Sequence, residues 1–335
     1  MNRIKYIDAL KGLAIICVAL GHVANGYLGE GAKAGTVIYH NVYNFVYAFH
    51  MPLFFILSGF LFRKVYISGN EIKSDKIKKQ IINLLCLYVI YCLILGVFKM
   101  IFGGFVNNKV SVKDLLLIPV KPIQLYWYIY VLAFYYFIFS RKKIVELKKI
   151  YVVIATLILL VASYFLPKDF YFDIKRLFYY MLFFFVGILF CDHEEIVDKN
   201  VFVGVTSFFT FFIYIAFWKN EKMINEIWFV NALAGIAISF SIIWLVKNST
   251  ILGENPVLNL VGRYSLEIYL LHTFFMTALR VLCHKVHLEN PVVVLIVITL
   301  ISVAIPILIA VICKKIKLYN LLFAPAKLFE KKPAA

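Results

Sequence analysis

Long apolar runs dominate the chain, and short polar segments interrupt them at intervals too close for soluble domains. Runs of about 20 apolar residues match the length an α-helix needs to cross a bilayer. The pattern predicts spans at 7–27, 39–62, 80–102, 124–139, 150–166, 174–191, 200–218, 227–246, 257–283 and 291–313. The fourth and fifth are short, and the ninth is long enough to tilt or break near Gly262. The expected fold is all-α: a polytopic membrane protein with about ten transmembrane helices, forming one membrane domain over residues 1–335.

Composition agrees. Residues of hydrophobic type make up 63% of the 335, aromatics 17% and charged residues only 16%. The net charge of +17 does not point to nucleic acid, because the basic residues divide by side of the membrane instead of gathering in one patch. With the N-terminus inside, 21 lysines and arginines fall on inner segments and 9 on or beside outer ones, which predicts both termini in the cytoplasm. Part of that inner charge serves to hold anionic lipid headgroups. The start MNRIKYIDALKGLAII is read as a first span and not as a secretory signal, since Lys11 interrupts its apolar run and no small-residue cleavage site follows. The six cysteines lie in or at the ends of apolar segments with no C-x-x-C pair, so they read as small core residues and no metal is expected.

Chemistry must therefore come from polar residues at membrane depth, where an ionisable side chain is costly unless it has a partner or a ligand. Lys11 and His22 are eleven residues apart, three helical turns, so they share a face about 16 Å apart along the axis. Asp8 joins them in the first span, His50 and Ser58 lie in the second, Trp127 opens the fourth, Arg176 lies in the sixth, and Arg263, Tyr264, Glu267 and His272 lie in the ninth. Asp8 and Lys11 at i,i+3, and Arg263 and Glu267 at i,i+4, have the spacing of ion pairs on a helix. Trp127 also suits an interfacial aromatic belt. Ser58, followed by Gly59, suits close helix packing better than nucleophilic attack. Three histidines with several cations and few carboxylates favour a cavity that receives an anion.

The succession IDALKGLAIICVALGH, FHMPLFFILSGFLF, LYWYIYVL, Arg176 ahead of FFFVGILF, and GRYSLEIYLLH resembles the acyltransferase-3 family of integral-membrane O-acyltransferases. The resemblance runs over roughly residues 5–275. It implies a ten-helix domain that moves an acyl group, usually acetyl from acetyl-CoA, to a carbohydrate hydroxyl, with acceptors among envelope polysaccharides and their lipid-linked precursors. It further implies the bacterial cytoplasmic membrane and envelope-polysaccharide assembly partners; oligomeric state is not implied. Two departures stand out. The family's first-span motif carries arginine where this chain has Lys11, which keeps the charge but loses the bidentate fork. Its basic pair entering the third span aligns with Gln80 and Asn83, while Lys76 and Lys79 lie one turn earlier.

On this reading Lys11 meets donor phosphates near the cytoplasm and His22 lies toward the outer side as general base. A covalent acyl-histidine is the alternative route. His50, Arg176, Arg263, Tyr264 and His272 are candidates for holding acyl-CoA phosphates or the oxyanion, Trp127 for substrate contact, and Asp8, Ser58 and Glu267 for support. A glycan exporter or flippase using the same cations, or a non-catalytic assembly subunit, are the competing functions.

Overall fold

The computed structural model describes residues 3–29, 35–69, 71–103, 110–167, 171–198, 201–206, 208–209 and 228–329. Ten helices of eight residues or more occur among them: α1 (Lys5–Gly29), α2 (Thr36–Tyr66), α3 (Ser74–Ile101), α4 (Trp127–Phe139), α5 (Lys149–Phe165), α6 (Ile174–Asp192), α7 (Trp228–Asn248), α8 (Pro256–Arg263), α9 (Ser265–Lys285) and α10 (Pro291–Lys315). Seven are long and apolar enough to cross a membrane, and α4 and α5 are shorter apolar helices. An all-α polytopic membrane protein results. Of the expected seventh span, 200–218, only 201–206 and 208–209 lie within the described residues. The expected break in the ninth occurs: Tyr264 caps α8, and α9 begins at Ser265.

The described residues form two compact units, one of 1–60 and 186–307, the other of 61–185 and 308–335. In the first unit α1 lies along α8 and α9. Asp8 meets Gly262, His22 meets His272 and Gly26 meets Arg280, so α1 and α9 run parallel, while Gly21 on Val46 and Tyr27 on Tyr39 set α2 antiparallel to α1. Backbones approach closely only where a side chain is missing. A Cβ on Gly12 would stand 2.1 Å from the Leu258 carbonyl oxygen, and one on Gly262 would stand 1.7 Å from that of Asp8. Pro52 inside α2 deprives the Ala48 carbonyl of its usual donor; Gly235 of α7 leaves room for the ring and that carbonyl.

Polar pairing fixes one end of this unit. Tyr6 donates to Glu194 Oε1 at 2.6 Å, and Lys247 reaches Glu194 Oε1 at 3.2 Å and Asp198 Oδ1 at 2.6 Å. Asn255 caps α8 by accepting from the Val257 and Leu258 amides, ahead of Pro256 at the first helical position. At the other end Val23, Ala24, Tyr27, Tyr39, Met276, Cys283, Val294, Leu295 and Ile298 form one apolar cluster.

In the second unit α5 buries only Val152, Thr156, Leu160 and Ser163, a single helical stripe, and leaves its other apolar residues outward, as a lipid-facing helix does. A two-residue antiparallel ladder pairs Ile67 with Ile72 and Ser68 with Glu71, turning through Gly69 at φ +57°. Phe184 gathers Phe62, Tyr135, Tyr136 and Phe139 around it. Asn83, one of the departures from the family's basic pair, accepts from the Ala326 amide at 3.3 Å.

Candidate functional site

The first unit brings together three histidines from three helices. His22 projects from α1 and is half-buried. Its Nδ1 stands 3.2 Å from the Tyr47 hydroxyl of α2, and its ring lies 5.4 Å from that of His272 on α9. Tyr47 also meets His50 edge to face at 4.7 Å, three residues along α2. His50 and His272 are 2% and 0% exposed.

Hydrogen bonding fixes what the two buried rings can offer. His50 Nδ1 lies 2.7 Å from the Val46 carbonyl oxygen, and His272 Nδ1 lies 2.8 and 3.0 Å from those of Ile268 and Tyr269. Carbonyls only accept, so each Nδ1 carries the hydrogen, and Nε2 of each neutral ring is a lone pair. A neutral ring of that tautomer has no donor left for a phosphate or an oxyanion. The anion-holding role expected of His50 and His272 would need a proton on Nε2 as well, the one ring nitrogen that the backbone carbonyls leave open.

Near the start of α1, Lys11 donates to Asp8 Oδ1 at 3.1 Å, so the expected i,i+3 pair forms. Arg3 stands 4.0 Å from the other carboxylate oxygen. The expected pair of Arg263 with Glu267 is not found among the described residues: the chain breaks between them at Tyr264, Arg263 ends α8 exposed, and Glu267 is buried one turn into α9. The i,i+4 rule holds only within a continuous helix. Ser58 is half-buried in α2, and two residues before it the Ile56 carbonyl receives Gly187 so closely that a Cβ there would lie 2.0 Å from the oxygen.

Arg176 and Trp127 belong to the second unit. The Arg176 guanidinium lies 4.8 Å from the centre of the Trp127 ring, which also stacks on Tyr180 at 5.2 Å. Asp173 accepts from Arg176 at 2.8 Å. Burial holds the Asp173 carboxyl above the ordinary carboxylate range, with the Arg176 charge acting the other way. The turns that deliver these residues adopt left-handed backbone at Gln124 (φ 46°), Phe172 (φ 60°) and Asp173 (φ 50°), and the Phe172 amide donates to the Val120 carbonyl at 2.6 Å, tying the two turns together. Strain of this kind persists where surrounding structure enforces it.

Sequence reasoning passed over Tyr47, although its i,i+3 spacing from His50 placed it on the same face. Arg280, which no spacing argument singled out, is 4% exposed, with its guanidinium over Gly26, one turn beyond His22. Among the described residues no group of three or more histidines, cysteines or carboxylates is arranged to hold a metal ion.

The family comparison matches the chain to the family described as acyltransferase domain, acyltransferase-3, over residues 4–311. The chain belongs to the acyltransferase-3 family. No curated protein and no solved structure gives a significant match. Membership makes the chain a membrane acyltransferase, and the half-open imidazole of His22 lies within the matched span, as do His50, His272, Lys11, Arg176 and Trp127.

Proposed function

We propose that this protein transfers an acyl group, acetyl in the first instance, from acyl-CoA to a hydroxyl of a cell-surface carbohydrate or its lipid-linked precursor, in the bacterial cytoplasmic membrane. The observation that carries the reading is His22 itself: a half-open imidazole held at Nδ1 by Tyr47 and bordered by two buried histidines that present lone pairs. With His22 Nδ1–H donating to Tyr47 Oη, Nε2 is left as the base. It takes the proton of the acceptor hydroxyl as the oxygen attacks the thioester carbonyl. The carbon–sulfur bond then breaks, the thiolate leaves, and His22 returns the proton to it.

Lys11 lies eleven residues away along α1, about 16 Å, so donor phosphates near Lys11 and a thioester near His22 fit an extended arm laid along one helix. Asp8 already engages one Lys11 donor, which leaves the other ammonium hydrogens for a phosphate. Arg263 and Tyr264 at the helix break are assigned to substrate contact, with Asp8, Ser58 and Glu267 supporting.

The test is acetyl transfer and slow acetyl-CoA hydrolysis by detergent-purified protein. The wild type should bind and turn over acetyl-CoA, and His22→Ala should bind it with turnover reduced about 10²-fold or more. Near-wild-type turnover by His22→Ala removes His22 as the base. A wild type that never binds acetyl-CoA returns the protein to the exporter reading.

A further inference from the structure

The polar atom that the proposed reaction leaves without a task is His272 Nε2. His272 is fully buried, its Nδ1 is committed to the Ile268 and Tyr269 carbonyls, and its Nε2 has no hydrogen-bond partner. A buried acceptor with nothing to accept is uncommon and costs free energy. Here the neighbouring ring is His22, 5.4 Å away between centroids and tilted by 33°. The other titratable groups near this pair are Tyr47 and His50 of α2 and Tyr269 on the same helix, whose ring is 6.5 Å from that of His272. Arg280 lies two turns further along α9, and α10 brings no titratable side chain before Cys313.

We infer that His272 is the proton-holding partner of His22: the proton that His22 takes from the acceptor hydroxyl passes to His272 Nε2 and returns through His22 to the CoA thiolate. The inference rests on the assignment of His22 as base. In the relay step the N–H bond of the His22 imidazolium breaks and an N–H bond forms on His272, which leaves His22 neutral and the new ester oxygen with no proton donor beside it. The returning proton converts the thiolate to thiol, so no outside acid or base is consumed. His272 acts through His22 and needs no contact with either substrate. Its fixed tautomer suits the task, because the ring that must receive a proton at Nε2 has its other nitrogen already protonated and anchored.

Two variants and one spectroscopic measurement test this. His272→Gln keeps a polar acceptor at that depth but cannot hold a proton, and His272→Phe removes both. In acetyl transfer by the purified full-length protein, both should lower kcat about 10²-fold with KM for acetyl-CoA within about twofold of wild type. Rescue of kcat by His272→Gln would overturn the inference, since a hydrogen-bond acceptor would then suffice. A raised KM for acetyl-CoA with kcat retained would also overturn it, making His272 a donor contact. The independent readout is the 15N spectrum of histidine-labelled protein. Wild type should show His272 as the Nδ1–H tautomer, and on acidification its Nε2 signal should move in one step with that of His22. His22→Asn should change the pH at which the His272 signal moves, and a His272 titration indifferent to His22 would refute the pair. If wild type fails to use acetyl-CoA, the donor assignment falls, while the 15N result still decides the pairing.

Discussion

A single methyl group at Gly262 tests whether the close crossing of α1 and α8 positions the site. A Cβ built there lies 1.7 Å from the Asp8 carbonyl oxygen, and ordinary contact is 3.4 Å, so the helices must part by about 1.7 Å along that line. The obstacle is backbone on both sides, with the Gly12 amide nitrogen also within 3.0 Å, so no side-chain rotation relieves it. Overpacking of this kind costs about 1–3 kcal/mol. Asp8 is the partner of Lys11 on the displaced helix, and His22 continues the same helix to its meeting with His272. Misplacement by about 1 Å can cost 10²-fold in rate, so Gly262→Ala should lose more activity than stability. Thermal unfolding in detergent reads the stability, and acetyl transfer at saturating donor reads the activity. Gly12→Ala, whose Cβ would stand 2.1 Å from the Leu258 carbonyl oxygen, should behave alike. Wild-type midpoint and kcat in both variants would refute the argument that this crossing sets the register of α1.

Three further substitutions probe single contacts. Tyr47→Phe removes the hydroxyl at His22 Nδ1 and should lower kcat about tenfold with KM unchanged, the worth of one hydrogen bond, measured by steady-state acetyl transfer. Lys11→Ala leaves the buried Asp8 carboxylate without its nearest cation and should destabilise by about 1–3 kcal/mol, with much of the loss recovered in Lys11→Ala/Asp8→Asn; a double variant no more stable than the single would show the pair to be unimportant for folding. Asp173 has its carboxyl pushed up by burial, so its ionised form opposes folding: the stability it contributes is present below the unfolded-chain value, near 3.9, and is lost as pH rises through the folded one. Asp173→Asn should therefore leave the unfolding midpoint at pH 7 unchanged or raised despite the lost Arg176 contact, and a clear fall would overturn that sign.

The spans were legible because lipid demands long apolar runs: 174–191 was read where 174–192 is helical, and 291–313 where 291–315 is. The break near Gly262 was legible too, from a run too long for one straight crossing. What that glycine touches was not, because contact with the Asp8 carbonyl leaves no local pattern. For the same reason the i,i+4 rule paired Arg263 with Glu267 across an interruption it has no means to see. The histidines show the limit most plainly. Sequence placed His22, His50 and His272 at membrane depth, but their chemistry depends on which nitrogen meets a backbone carbonyl, and that follows from rotamer and helix position.

That last distinction changes the electrostatics of the first unit. Three histidines read as potential cations suggest an anion-binding cavity; with Nδ1 of two of them donating to backbone carbonyls, Nε2 of each is the atom left to accept a proton beside the half-open ring of His22. Along α1, positive charge stands at Lys11 near the start of the helix and at Arg280 over Gly26 near its end, with His22 between them. A thioester carbonyl attacked by a hydroxyl needs a base beside the hydroxyl and positive charge near the negative charge that develops. The glycines of α1 fit this division. Gly12 admits α8 beside Lys11, Gly21 admits Tyr47 beside His22, and Gly26 admits Arg280, so each glycine lies within one residue of a candidate group or holds the space that group fills.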